Sequence, residues 1–146
     1  MLRRYTFWFS AAVLFQLITG LVHSLSLFIT PEPANEIERQ LFTLMTTYKM
    51  DAGGGFQPTY SGLFLALSSC FTFLCLFAAL TNGYLLIKHT EPNVMKGIIG
   101  INVVIFGAVF AMMAFFTFLP PIVCTGLIFI NLLAAFVVVP KIESTV

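Results

Sequence analysis

The chain has 146 residues, of which 59% are hydrophobic and only 9% are charged, and its net charge is +1. A soluble domain needs about 25% charged residues to keep its surface in water, so this composition excludes a soluble globular protein and indicates one that lies in lipid. The low net charge also argues against nucleic-acid binding, which needs a clustered basic face.

Four stretches of the chain are long and apolar enough to cross a bilayer. A hydrocarbon core of about 30 Å needs about 20 apolar residues in a helix, and backbone polar groups in lipid must be satisfied within the segment itself. Lys96, near one end of the third stretch, is the one charged residue inside them. We therefore predict an all-α fold, in which residues 1–146 form a single domain, an integral membrane four-helix bundle. Its predicted spans are residues 5–29, 59–87, 94–119 and 122–139.

The positions of lysine and arginine near the span ends predict the orientation, because cytoplasmic ends carry an excess of these residues. Two of them, Arg39 and Lys49, lie on one side. Five lie on the other side: Arg3, Arg4, Lys88, Lys96 and Lys141. The count predicts a multi-pass protein with both termini in the cytoplasm and the loop of residues 30–58 outside.

The outer loop of residues 30–58 contains the pattern of a short amphipathic helix. Asn35 followed by Glu38 is typical of a helix start, where side chains satisfy the first N–H groups. The next apolar residues recur at helical spacing and line one face: Ile37, Leu41, Leu44 and Tyr48. We predict a helix over residues 36–49 that lies on the membrane surface or caps the bundle, as a structural lid rather than a docking site for a partner. The segment of residues 51–55, with three glycines, is interpreted as a slack linker.

Polar side chains inside the spans are the candidates for function, because such groups are costly in lipid. In the first span Gln16 and His23 share one arc with Thr19 and Ser26, and in the second span Ser61, Ser68, Thr72, Cys75 and Asn82 share another. We expect both stripes to face inward. The candidates for a ligand site or an intramembrane polar network are Gln16, His23, Ser68, Asn82, Asn102 and Asn131. Hydrogen bonds that tie the helices together are favoured over a polar cavity open to the outer face, and Ser68 and Thr125 are the expected partners of His23.

The sequence predicts no catalytic residues, no metal site and no cofactor. Its two histidines lie towards opposite membrane surfaces, and no carboxylate falls within a span. The three cysteines lack the C-x-x-C spacing of redox motifs and are interpreted as small apolar packing residues. Span three carries small residues on one face that let a neighbouring helix approach closely: Gly100, Gly107, Ala111 and Ala114. That face is expected to pack against another span of this chain, with a second copy as the alternative.

Three features of the layout are found together: Gly-Leu-Val-His-Ser at residues 20–24, Tyr-Ser-Gly-Leu at residues 60–63, which opens span two, and the Phe-Leu-Pro-Pro turn at residues 118–121. With the acidic outer helix, they make the chain resemble small, uncharacterised four-span membrane proteins of bacteria. The resemblance implies a bacterial cytoplasmic membrane and no known activity.

The function expected from these features is non-enzymatic. Because no charged residue lies in the interior of a span, the usual parts of a proton relay or an ion-coupled transporter are missing. We expect an accessory or structural subunit, or a binder of lipid or of another small apolar molecule. Its expected partners are membrane lipids and either a second copy or a larger membrane complex, and no nucleic acid. The alternative is a membrane-embedded lipid-modifying enzyme that uses His23 as its acid or base.

Overall fold

The computed structural model describes residues 4–29 and 32–140, and these residues form five α-helices. They are α1 (Tyr5–Ser26), α2 (Glu36–Thr47), α3 (Tyr60–Ile87), α4 (Pro92–Phe116) and α5 (Leu119–Val138). The predicted all-α fold is confirmed. All but α2 are long and apolar enough to cross a membrane, with mean hydropathies of 1.6, 2.3, 2.4 and 2.4. Arg3 and Lys141 of the orientation count, and loop residues 30 and 31, lie outside the described residues.

Helix α1 ends three residues before the predicted end of its span. The hydroxyls of Ser24 and Ser26 donate to the carbonyls of Leu21 and His23, both at 2.7 Å. Serine hydroxyls that bond to nearby carbonyls compete with the helical backbone. The next three N–H groups, of residues 27–29, accordingly donate three residues back at 3.2–3.3 Å, as in a 3₁₀ turn.

Prolines set the beginnings of α4 and α5, each a few residues before the predicted span. Pro92 is the first residue of α4, and Pro120 and Pro121 fall in the first turn of α5. Proline has no N–H to donate, and the first N–H groups of a helix have no partner within it, so proline costs nothing there. Between these helices the Thr117 hydroxyl donates to the Met113 carbonyl at 2.7 Å, where α4 ends.

The predicted short amphipathic helix is confirmed as α2, and its cap forms as expected. The Glu38 N–H donates to the side-chain oxygen of Asn35 at 2.9 Å, and the Glu38 carboxylate accepts from the Ala34 N–H at 2.7 Å. The helix ends at Thr47, where Tyr48 adopts an extended conformation. None of its residues is buried, and the apolar residues Ile37, Leu41 and Leu44 are 80%, 53% and 59% exposed.

The segment between α2 and α3 is a closed hydrogen-bonded turn, so the prediction of a slack linker is wrong. The Met50 N–H donates to the Pro58 carbonyl at 3.0 Å and the Ala52 N–H to the Phe56 carbonyl at 3.1 Å. Lys49 and Thr59 form an antiparallel bridge. The three glycines at 53–55 have φ angles of 81°, 60° and 82°, a conformation that other residues rarely adopt, so they close the turn rather than loosen it.

Helices α4 and α5 approach each other closely at glycines. A Cβ placed on Gly107 would lie 3.0 Å from the Phe129 ring, and one placed on Gly126 would lie 3.1 Å from the Phe110 ring. The two rings stack on each other, with centroids 5.9 Å apart and planes at 14°. Each helix therefore supplies one glycine and one phenylalanine to a reciprocal contact.

The small-residue face predicted on span three packs on α5 over only part of its length. Gly100 faces Phe136, at 3.1 Å from a Cβ placed on the glycine, and Gly107 makes the contact described above. Ala111 and Ala114 are exposed. The partner of this face is thus a helix of the same chain, as expected.

The described residues fall into two compact units. The first holds the residues up to Thr19 and from Cys75 onward, and the second runs from Gly20 to Leu74. The fully buried large side chains of the first unit form its core, and they are mostly apolar: Phe9, Met95, Ile99, Phe106, Ile128 and Leu132. The second unit contains all of α2 and its turn.

Candidate functional site

Three of the six predicted polar residues meet in one cluster, which we call the amide cluster: Gln16 of α1, Asn82 of α3 and Asn102 of α4. The Asn82 amide nitrogen donates to Gln16 Oε1 at 3.1 Å and to Asn102 Oδ1 at 2.9 Å. The Asn102 amide nitrogen donates back to Asn82 Oδ1 at 3.3 Å and to the Ile98 carbonyl at 2.9 Å. The Gln16 amide nitrogen donates to Asn102 Oδ1 at 3.4 Å.

The polar atoms of the amide cluster bond to one another. Gln16 and Asn82 are fully buried, and every amide nitrogen and oxygen of the three side chains has a partner. Groups that already bond to one another have little capacity left for a ligand, and the cluster is uncharged. Its geometry is therefore that of a link between three helices, the arrangement by which polar side chains associate transmembrane helices.

Asn131, a fourth predicted residue, does not join the amide cluster. It is buried in α5, and its amide nitrogen donates to the Leu127 carbonyl of its own helix at 2.7 Å. Counting the helical rise from the span ends predicts that Gln16 lies at the depth of Asn131 and Asn82 at the depth of Asn102. The structure brings Asn82 and Asn102 together and places Gln16 with them rather than with Asn131.

His23, in the second unit, has an unexpected environment. Its ring packs edge-on against Phe71 of α3, with centroids 5.0 Å apart at 85°. Its Nε2 is buried and has no hydrogen-bond partner among the described residues. The same holds for the hydroxyl of Thr72, the residue that follows Phe71. Buried polar atoms without partners are rare in proteins, and each one needs an explanation.

Neither of the two hydroxyls expected to pair with His23 forms a hydrogen bond with it. The Thr125 hydroxyl donates to the Pro121 carbonyl within α5 at 2.7 Å. Ser68 is half-buried, and its side chain makes no hydrogen bond within the part of the chain that the structure describes. Thr72, four residues after Ser68 and on the same face of α3, belonged to the predicted stripe but not to the candidate residues. Its spacing of one helical turn from Ser68 could have identified Thr72 as a further candidate.

An apolar groove lies between α2 and the beginning of α3. It is an open cavity of about 390 Å³ lined only by apolar surface. The lining residues are Leu41, Leu44, Met45, Tyr48, Tyr60 and Phe64. Tyr48 and Tyr60 stack with their ring centroids 6.4 Å apart at 18°. Three of the six belong to the apolar face predicted for α2. Tyr60 and Phe64, which lie four residues apart in α3, were missed because the segment before α3 was interpreted as a slack linker.

The backbone next to this groove, which we call the α2–α3 groove, includes Lys49. This residue follows Tyr48 directly, and its backbone is bridged to Thr59, which precedes Tyr60. Lys49 is exposed, and the one ion pair among the described residues joins Arg39 to Glu36 at 3.3 Å. Lys49 thus has no carboxylate partner in the described chain.

A smaller cavity of about 210 Å³ occupies the first unit where α3 ends and α4 begins. Its lining includes Tyr5, His89, Thr90 and Met95. His89 has a φ of 50°, and the Thr90 hydroxyl donates to the Leu85 carbonyl at 3.1 Å. The described lining residues of this cavity have no unpartnered buried polar atom.

The two described stretches, residues 4–29 and 32–140, bring no metal-binding set of side chains together. No three His, Cys, Asp or Glu side chains lie close enough there to hold a metal ion. The three cysteines, Cys70, Cys75 and Cys124, are free thiols. No known protein family, no curated protein and no solved structure matches the chain. The resemblance to small bacterial four-span proteins therefore stays a prediction.

Proposed function

We propose that the protein is a non-enzymatic, multi-pass membrane protein that binds a phospholipid, with one acyl chain in the α2–α3 groove and the phosphate near Lys49. The observation that carries this proposal is the groove itself: its lining is wholly apolar, and its volume of about 390 Å³ falls in the range of about 300–1,000 Å³ usual for small-molecule sites.

The occupant is favoured by charge and by the surroundings. An exposed lysine near a membrane surface attracts anionic lipid by about 1 kcal/mol, and Lys49 directly follows Tyr48, which lines the groove. The apolar face of α2 extends beyond the groove to Ile37, which is 80% exposed. An uncovered apolar face on an amphipathic helix is typical of helices that lie at the membrane interface.

Native mass spectrometry of protein purified in a mild detergent tests the lipid site. We expect the wild-type chain to retain phospholipid and Leu44→Arg to lose it by about tenfold or more, because a charge in an apolar groove disfavours an acyl chain. Lys49→Gln should lower retention of anionic lipid about fivefold. Ile37→Arg is the matched control, since Ile37 lies on the same face of α2 outside the groove. Equal loss in Leu44→Arg and Ile37→Arg would contradict a specific site.

The proposal includes a four-helix bundle in the bacterial cytoplasmic membrane with both termini in the cytoplasm. The orientation rests on the excess of lysine and arginine at one set of span ends. We expect a periplasmic phosphatase fused after residue 146 to be inactive and the same enzyme inserted at Gly54 to be active. The opposite pattern of activity would reverse the orientation.

A second candidate, a membrane-embedded lipid-modifying enzyme with His23 as acid or base, is favoured by the unpartnered Nε2 of that residue. Lipid profiling of a deletion strain separates the two functions. Loss of one lipid species that returns with the wild-type gene but not with His23→Ala supports the enzyme. An unchanged lipid profile supports the binder.

A further inference from the structure

Two buried polar atoms in the second unit have no hydrogen-bond partner among the described residues, and one of the two side chains packs against the residue that precedes the other in α3. His23 Nε2 and Thr72 Oγ1 are both buried without a hydrogen bond among the described residues. Thr72 is only 5% exposed. The His23 ring touches Phe71, the residue next to Thr72, with centroids 5.0 Å apart.

The chemistry of the two groups is complementary to a neutral oxygen. An uncharged imidazole nitrogen either donates or accepts one hydrogen bond, and a hydroxyl does both. Since each atom lacks a partner, the two are not bonded to each other. The half-buried Ser68, one turn from Thr72 on the same face of α3, adds a third hydroxyl whose side chain makes no hydrogen bond in the described residues. A buried water typically has two to four such polar partners.

We propose that His23 and Thr72 together bind a neutral hydroxyl oxygen, supplied by a buried water or by the alcohol group of an apolar ligand. The bound oxygen completes the hydrogen bonding of both side chains, which would otherwise be orphaned in a low-dielectric environment. This site does not depend on the α2–α3 groove. None of its groups lines that groove, so either proposal can fail while the other stands.

A double-mutant cycle on the purified protein tests the site. Thr72→Val keeps the shape and removes the hydroxyl, and His23→Phe keeps an aromatic ring against Phe71 and removes the nitrogens. If an oxygen bridges them, each single change should lower the melting temperature by about 2–6 °C. The double variant should lose less than the sum of the two, because both changes remove one shared interaction. Ser69→Ala is a matched control, since the Ser69 hydroxyl already donates to the Leu65 carbonyl at 2.8 Å.

The source of the oxygen is distinguished by adding hexadecanol or hexadecane to delipidated protein. Coupling in the cycle with no response to either probe identifies water. A rise in melting temperature with hexadecanol but not hexadecane, smaller in Thr72→Val, identifies an apolar alcohol. Additive effects, or an unchanged or higher melting temperature in both single variants, would overturn the proposal, because removal of truly orphaned groups is neutral or stabilising.

Discussion

Replacement of Asn82 by leucine is expected to lower the free energy of unfolding by about 2–3 kcal/mol. Asn82 is the centre of the amide cluster: its nitrogen donates to Gln16 and to Asn102, and its oxygen accepts from Asn102. The substitution leaves the buried Gln16 Oε1 without a partner and removes one bond from each polar atom of the Asn102 side chain, and a buried group that has lost its partner costs about 1–3 kcal/mol. Single interhelical hydrogen bonds in membranes contribute about 0.6 kcal/mol on average, so the loss of several bonds at once sets the size of the effect.

Asn131→Leu provides the matched control for this prediction. Asn131 is also a buried asparagine in a candidate membrane span, at 8% exposed against 1% for Asn82. Its amide nitrogen donates only to the Leu127 carbonyl of α5, which is already a helical backbone acceptor. We therefore expect Asn131→Leu to change the free energy of unfolding by less than about 0.5 kcal/mol.

The measurement is a denaturant titration of the detergent-solubilised protein, followed by circular dichroism. Gln16→Leu and Asn102→Leu should each lower stability, and the effects of Asn82→Leu and Asn102→Leu should not be additive, since the two residues share bonds. Equal changes in Asn82→Leu and Asn131→Leu would show that the amide cluster has no special energetic role.

The sequence predicted the helices well because long apolar runs and cap patterns are local. Asn35 and Glu38 lie three residues apart, and their bonds form within that segment. The turn after α2 was missed because its closing bonds join Met50 to Pro58 and Lys49 to Thr59. Such pairings depend on where the chain returns, which composition does not reveal.

The hydrogen-bond partners of the polar residues were also beyond what the sequence could predict. Helical spacing indicated that Gln16 and Asn82 each lie on an inward face, and both are buried. Which residues bond to which depends on how the helices are shifted along each other. Asn131 bonds within its own helix, and His23 Nε2 has no hydrogen-bond partner among the described residues, although the same periodicity had placed them on inward stripes.

The contact between α4 and α5 should be sensitive to any side chain at Gly107. A Cβ there would lie 3.0 Å from Phe129, closer than van der Waals contact. The Phe129 ring has little room to move, because it stacks on Phe110, whose own ring lies 3.1 Å from the Cβ position of Gly126. A substitution at Gly107 therefore has to displace an interlocked pair of rings rather than one free side chain.

We expect Gly107→Val to lower the free energy of unfolding by about 1–3 kcal/mol, the usual cost of overpacking. This cost opposes the gain of up to about 1 kcal/mol that replacement of a helical glycine otherwise brings. Gly97→Val in the same helix is the control: a Cβ there has nothing within 4 Å, so its stability should stay unchanged or rise. Denaturant titration of both variants measures the difference.

Adding Phe129→Leu to Gly107→Val should recover part of the loss, because the smaller side chain vacates the space that the valine needs. If Gly107→Val is as stable as Gly97→Val, the reciprocal glycine–phenylalanine contact does not control how closely α4 and α5 pack.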